Sequence, residues 1–278
     1  PFDYLDQSLK ENEVFLQSDV KEIIHEVEIP DYIPVMNLVY AYLTKKNGQK
    51  YWYIKSQIVF FEEIVHNIPN ARFIEIVRDP RDVLASKKKD KNSVWTSKYP
   101  ERKRALKNLE KAYDPIWDSL SWKSEIVAGM KIKKYYSDFF FSLRYEDLAS
   151  DPETCTKACC AFLGIEYFRN QLDVPRRNTS LWNNRPGGIG TESINKWKQI
   201  LTPEEITICR FITKQELITG NYALESTQHS WGKIFILIFR SLGEFFQRLV
   251  KRLKMGGRKF LVNILRLYWK KIINLVNS

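Results

Sequence analysis

A short apolar run that ends abruptly in charge and proline limits what this chain can fold into. Residues 73–77 read Phe-Ile-Glu-Ile-Val, which is typical of a β-strand, and Arg78-Asp79-Pro80 ends the run. A charged stretch with helical spacing follows and contains Ser86. Open α/β sheets bind ligands at the carboxyl ends of their strands. The pattern predicts a strand, a turn and a helix that present Arg78 and Ser86 at such an edge.

Two interpretations of Arg78 follow from the residues alone. A guanidinium fork binds phosphate oxygens through parallel hydrogen bonds, and Ser86 would lie about two helical turns away. Alternatively, Arg78 and Asp79 pair with each other within the turn. The local sequence leaves both interpretations open.

The string RFIEIVRDPRDVLASKK, residues 72–88, closely resembles the 3′-phosphate-binding motif of sulfotransferases. That family transfers a sulfuryl group from 3′-phosphoadenosine 5′-phosphosulfate (PAPS) to a hydroxyl or an amine. The resemblance implies that Arg78 and Ser86 hold the 3′-phosphate of this cosubstrate, and that no metal takes part. It also implies an α/β fold with a P-loop NTPase-like parallel sheet flanked by helices.

A second block of the same family overlaps residues 139–145, which are predicted to form another buried strand. The string SLRYEDL at 142–148, then Asp-Pro-Glu and Phe-Leu-Gly-Ile, resembles the block whose tyrosine faces the nucleotide. Tyr145 is therefore a candidate for cofactor binding. A core tyrosine with a satisfied hydroxyl is the alternative. Asp151-Pro152-Glu153 predicts the start of a helix, and Gly164 predicts its end.

A third, looser match lies around a basic, glycine-containing loop. The loop Arg185-Pro186-Gly187-Gly188-Ile189-Gly190 precedes a Trp-Lys pair at 197–198 and Leu-Thr-Pro-Glu-Glu at 201–205. In sulfotransferases such a loop closes over the 3′-phosphate and the adenine. The resemblance implies cofactor binding by Arg185, Gly187 and Gly188, since glycine lets backbone N–H groups approach phosphate closely.

Lys55 is the candidate catalytic residue. Residues 51–55, Tyr-Trp-Tyr-Ile-Lys, predict a strand, and Ser56 is a candidate cap for the next helix. A strand-end Lys-Ser about two dozen residues before the phosphate-binding arginine resembles the family's contact to the sulfate-bearing end of the cofactor. Small-molecule sulfotransferases place a catalytic histidine two residues later, whereas this chain has Gln57. The general base is therefore unassigned.

The family's loop for the 5′-phosphosulfate, rich in Gly and Ser/Thr, has no counterpart before Lys55, since the first glycine is Gly48. We expect a sulfotransferase-like domain over residues 1–225 without its first strand and loop. Such a chain should bind adenosine 3′,5′-bisphosphate weakly and turn over poorly. A nucleotide kinase of similar fold would need a Gly-x-x-x-x-Gly-Lys-Ser/Thr loop, which is absent.

The net charge of +11 is concentrated at the carboxyl end. Residues 231–278 hold eleven Lys or Arg against one acid, Glu244, and apolar residues recur there at helical spacing. We predict a basic amphipathic helical extension over 226–278 that binds an anionic membrane surface. A helical hairpin packed on the domain or on a second subunit is the alternative. Because the main domain is nearly neutral, no nucleic acid is expected as a partner.

The four cysteines, Cys155, Cys159, Cys160 and Cys209, predict reduced thiols rather than a disulfide or zinc framework. They favour a cytoplasmic or membrane-associated protein, and an upstream signal or anchor stays open. The predicted function is PAPS-dependent sulfuryl transfer to a carbohydrate, peptide or lipid-like acceptor. The alternative is an inactive sulfotransferase-like domain that binds membranes or polyanions through its basic tail.

Overall fold

The computed structural model describes residues 32–90, 113–173, 189–247 and 250. The chain divides into two compact units, Pro1–Ala71 and Arg72–Ser278. The described part of the first unit contains helix α1 (Tyr32–Lys46), a 3-10 turn (Ile58–Phe60) and helix α2 (Phe61–Asn67). Leu43, Phe61 and Ile64 are buried in this unit.

The strand predicted over residues 51–55 does not form. Residues 51–57 have no regular secondary structure, and Tyr53 is 93% exposed. Aromatic and β-branched residues favour a strand only where a neighbouring strand completes the hydrogen-bond ladder, and no such neighbour is described beside this segment. The Ser56 hydroxyl also does not cap the helix, because it donates to the Gln57 carbonyl oxygen.

The second unit alternates strands and helices. Its described elements are β1 (Phe73–Val77), α3 (Pro80–Asp90), α4 (Pro115–Tyr135), β2 (Phe140–Arg144), α5 (Tyr145–Ser150), α6 (Pro152–Leu163), α7 (Trp197–Ile200) and α8 (Pro203–Thr219), with short 3-10 turns at Arg169–Leu172 and Thr191–Ser193. Residues 231–247 form a last helix, α9. Both predicted strands of this unit and the helix from Asp151 to Gly164 are confirmed to within a residue or two.

The two described strands pair in parallel. Phe73 lies opposite Phe140 and Val77 opposite Arg144, so the carboxyl ends of β1 and β2 are level. A parallel pair needs a long crossover connection, which here contains α3 and α4. The level ends place the residues that follow each strand at one edge of the sheet.

Helices lie against both faces of this small sheet, although Ile74 and Ile76 of β1 stay 39% and 53% exposed. On one face α4 comes so close to β1 that a Cβ on Gly129 would overlap the Glu75 carboxylate. Burial raises the pKa of Glu75, although a hydrogen bond from Ser142 opposes the rise. On the other face Phe141 stacks on Phe162 of α6 at 5.4 Å. A parallel sheet between helices agrees with the predicted α/β class.

The main core of the second unit lies beside α3. Its buried members are Leu84, Ala85, Tyr113, Trp197, Leu201, Ile206 and Cys209. Helix α8 begins with a capping box, in which the Glu205 backbone N–H donates to Thr202 Oγ1 and the Thr202 N–H donates to the Glu205 carboxylate. Helix α6 ends at Gly164 with φ of +67°, a left-handed conformation that glycine adopts without strain. These caps fix where both helices meet the core.

Candidate functional site

The candidate site begins where both strands end. Val77 and Arg144 are register partners, so Arg78 and Tyr145 follow at the same edge of the sheet. The Arg78 guanidinium carbon lies 4.6 Å from the centre of the Tyr145 ring, a cation–π contact. Two residues selected from separate sequence blocks are thus in direct contact.

Arg78 is half-buried and held by three groups. Its Nη2 donates to the Ser193 carbonyl oxygen at 2.6 Å, and its own carbonyl oxygen accepts a hydrogen bond from the Trp122 indole at 3.0 Å. Its Nε is buried and has no hydrogen-bond partner in the described part of the chain. A buried donor left without an acceptor costs roughly 1–3 kcal/mol, so this guanidinium has unused capacity for an anionic oxygen.

Arg81, rather than Arg78, forms the ion pair with Asp79. Arg81 Nη2 donates to Asp79 Oδ2 at 2.6 Å, and Arg81 Nε donates to Asp79 Oδ1 at 2.9 Å. Among the residues that the structure describes, Arg78 makes no ion pair. The simpler interpretation, in which Arg78 pairs with Asp79, is therefore wrong.

Asp82 fixes the segment that contacts Arg78. Its carboxylate accepts hydrogen bonds from the backbone N–H groups of Asn195, at 2.8 Å, and Trp197, at 3.0 Å. Asn195 has φ of +60°, so the chain turns sharply there. Burial raises the pKa of Asp82, and the two N–H groups oppose that rise. Asp82 thereby positions the Ser193 carbonyl oxygen beside Arg78.

A second network of hydrogen bonds connects residues next to the carboxyl ends of β1 and β2. Glu146 accepts a hydrogen bond from the Asp79 backbone N–H at 3.0 Å and another from the Tyr222 hydroxyl at 3.0 Å. The Arg144 guanidinium carbon lies 4.5 Å from the centre of the Tyr222 ring. Burial raises the pKa of Tyr222, so its hydroxyl stays neutral and donates to Glu146. These contacts tie the turn after β1 to helix α5, which follows β2.

Two other predicted site residues, Ser86 and Lys55, lie within the described part of the chain. Ser86 is exposed on α3, and the lysines next to it are already paired, Lys87 with Asp118 at 2.8 Å and Lys88 with Glu205 at 2.6 Å. Lys55 is exposed in the irregular segment of the first unit, not at a strand end.

The predicted phosphate loop is described only at its carboxyl-terminal end. Arg185, Gly187 and Gly188 lie outside the described residues. The description resumes at residue 189, four residues before Ser193, whose carbonyl oxygen binds Arg78.

Sequence reasoning missed three residues that organise the site. Asp82 resembles an ordinary acid in the first turn of a helix, and Glu146 resembles another. Trp122 gives no local signal, since an aromatic residue within a helix is usually a core residue. Only the positions of Asp82 and Glu146, each a few residues after the end of a strand, could have suggested that they organise the site.

The described residues include neither a cluster of metal-ligating side chains nor a disulfide. No group of three or more His, Cys, Asp or Glu side chains there could hold a metal ion. All four cysteines are free, and burial raises the pKa of Cys209 to about 11. That thiol is therefore protonated and unreactive at neutral pH.

Comparisons with known proteins bear on the family of the chain. A family model described as the sulfotransferase family matches residues 10–169 of the 278. The match covers Lys55, Arg78, Ser86 and Tyr145, and it ends before the Arg185 loop. No curated protein and no solved structure matches the chain. Because the family model covers more than half of the sequence, the chain belongs to the sulfotransferase family.

Proposed function

We propose that this protein transfers a sulfuryl group from PAPS to a hydroxyl or an amine of an acceptor. The observation that carries the proposal is Arg78, a guanidinium at the exit of a parallel strand that forms no direct ion pair with a carboxylate among the described residues, although the Asp82 charge acts on it. Family membership supplies the reaction class. The acceptor is a carbohydrate, a peptide or a lipid-like molecule.

The residues around Arg78 fit a phosphate group. Both nearby acids have other partners, since Asp79 binds Arg81 and Asp82 binds two backbone N–H groups. The Arg78 fork therefore keeps its charge for a ligand, and its buried Nε needs an acceptor. In this proposal Arg78 and the exposed Ser86 hydroxyl bind the 3′-phosphate of PAPS, where a planar fork suits two phosphate oxygens.

Tyr145 has a positioning role and a binding role in this proposal. Its ring lies against the guanidinium of Arg78 and restricts the directions in which the fork can point. Together with the loop of Arg185, Gly187 and Gly188, Tyr145 would enclose the nucleotide. The supporting contact is the hydrogen bond from Arg78 to Ser193, which follows that loop closely in the chain.

Lys55 is proposed to neutralise the sulfuryl group during transfer. Lys55 is an exposed lysine on an irregular segment, so its ammonium group is accessible to an anionic ligand. Family resemblance is the support for this role, and the residue that takes the acceptor's proton is unassigned. Electrostatic stabilisation by cations and careful positioning supply most of the rate enhancement in such transfers.

Calorimetric titration with adenosine 3′,5′-bisphosphate tests the Arg78 assignment. Arg78→Lys keeps the charge but removes the planar fork, so we expect affinity to fall about tenfold or more. The matched control is Arg72→Lys at the amino end of the same strand, where the guanidinium binds the Asp138 carbonyl oxygen. Equal affinity in the wild type and Arg78→Lys would refute the site.

Transfer of radiolabelled sulfate from PAPS to a panel of hydroxyl and amine acceptors tests the reaction itself. Lys55→Gln should lower turnover while leaving bisphosphate affinity nearly unchanged, and Lys50→Gln in the same segment is the control. If wild-type protein binds no bisphosphate and transfers no sulfate, the inactive, membrane-binding alternative is favoured instead.

A further inference from the structure

Helix α9, residues 231–247, is attached to the second unit along one line of side chains. Ile234 and Ser241 are buried, with exposures of 6% and 4%. Phe245 stacks on Trp117 of α4 at 4.9 Å between ring centres. These positions are seven and four residues apart, which places them on one helix face. The helix is therefore fixed to the folded domain.

A second line of apolar side chains on the same helix faces outward. The exposed fractions are large for a folded protein: Trp231 66%, Phe235 56%, Phe239 71%, Leu242 45%, Phe246 59%, and Val250 48% just beyond the helix bounds. We call these six residues the apolar stripe. Their spacing of three or four residues puts them on one face, roughly a quarter-turn from the packed line.

The size of the stripe distinguishes it from scattered surface hydrophobic residues. It contains four aromatic side chains, and each buries roughly 150–250 Å² when fully covered. Monomeric soluble proteins rarely expose contiguous apolar patches of more than a few hundred Å² unless the patch binds something. The stripe therefore needs an occupant.

The positive charge that follows the apolar stripe in the sequence indicates what kind of surface the stripe binds. Residues 248–278 contain nine Lys or Arg and no Asp or Glu. Within the helix the Lys233 side chain is exposed and its Nζ lies 3.9 Å from the Glu204 carboxylate, and Arg240 pairs with Glu244 at 3.0 Å. Aromatic residues beside dense positive charge suit the headgroup region of an anionic bilayer, where rings enter the boundary layer and cations meet lipid phosphates.

We propose that α9 binds an anionic phospholipid surface through the apolar stripe, with its axis parallel to the membrane plane. In the described residues no helix is both long enough and apolar enough to cross a bilayer. The packed line of Ile234, Ser241 and Phe245 keeps the domain on the helix, so the domain would be held at the membrane surface. This inference does not depend on the proposed sulfuryl transfer.

Vesicle co-sedimentation of the full chain tests the proposal. The probes are vesicles of phosphatidylcholine alone and of phosphatidylcholine mixed with phosphatidylserine. We expect binding to the mixed vesicles, weakened by salt, and about tenfold weaker partition for Phe239→Ser. The matched control is Phe211→Ser on α8, a phenylalanine that is 86% exposed, against 71% for Phe239, and lies outside the stripe.

Three outcomes would overturn the proposal. Equal losses for Phe239→Ser and Phe211→Ser would mean that the stripe has no special role. Binding that appears only after deletion of residues 251–278 would mean that the chain itself covers the stripe. A concentration-dependent dimer that Phe239→Ser abolishes, without vesicle binding, would make a second copy the occupant. Circular dichroism of each variant verifies that the fold is retained.

Discussion

Replacing Arg81 by methionine should destabilise the protein by about 3–5 kcal/mol, because it leaves a buried carboxylate without its partner. Arg81 is 2% exposed and Asp79 is 5% exposed, so water cannot replace the lost contacts. The two side chains share hydrogen bonds of 2.6 and 2.9 Å in a fork geometry. Removing one member of a buried pair costs far more than removing an exposed one.

Other contacts of Arg81 are expected to contribute less. Its Nη1 donates to the Ala223 carbonyl oxygen at 2.9 Å, and its guanidinium carbon lies 4.1 Å from the centre of the Trp197 ring. A cation–π contact of this kind contributes about 0.5–2 kcal/mol. Methionine fills much of the same volume, so the cavity cost is small. The unpaired charge on Asp79 therefore dominates.

A double-mutant cycle separates these contributions. Free energies of unfolding come from urea titrations followed by circular dichroism, for the wild type, Arg81→Met, Asp79→Asn and the double variant. The double variant has no charge at either position, so it should lose less than the sum of the two single variants, with a coupling of about 2 kcal/mol or more.

The control is Lys157→Met, which breaks the exposed Lys157–Glu153 pair of 2.7 Å and should leave the unfolding midpoint unchanged. A loss below about 1 kcal/mol for Arg81→Met, or strictly additive losses in the cycle, would refute the reasoning that an unpaired buried charge dominates.

Two further predictions concern single side chains. Glu75→Gln should raise the melting temperature at neutral pH, since burial raises the pKa of Glu75 and penalises its ionised form. The protonated form contributes stability that is lost as pH rises through the folded-state pKa, so the advantage of glutamine should vanish on acidification; an advantage independent of pH would contradict this. Thr202→Ala should cost about 1 kcal/mol by urea titration, because it removes the α8 cap, whereas Thr202→Ser should restore the stability. A loss that serine does not rescue would argue against capping.

Much of the second unit could be predicted from local patterns. The Asp-Pro-Glu start at 151 and Gly164 fix the two ends of α6, because neighbours in the chain supply the necessary contacts. The apolar run at 73–77 was also predicted correctly, and its strand forms because β2 pairs with it. The strand predicted at 51–55 was wrong for the opposite reason. A strand depends on a partner that no local pattern specifies.

The local sequence determined that strand exits rich in arginine and acid would form the candidate site. It could not determine which arginine would be available to a ligand, since Arg78 and Arg81 both lie close to Asp79 and Asp82. Tertiary contacts decided this. Asp79 binds Arg81 beneath Trp197, while Asp82 holds the segment that contacts Arg78. Burial favours the acid–base pair with the best geometry, and that geometry depends on residues more than a hundred positions away in the chain.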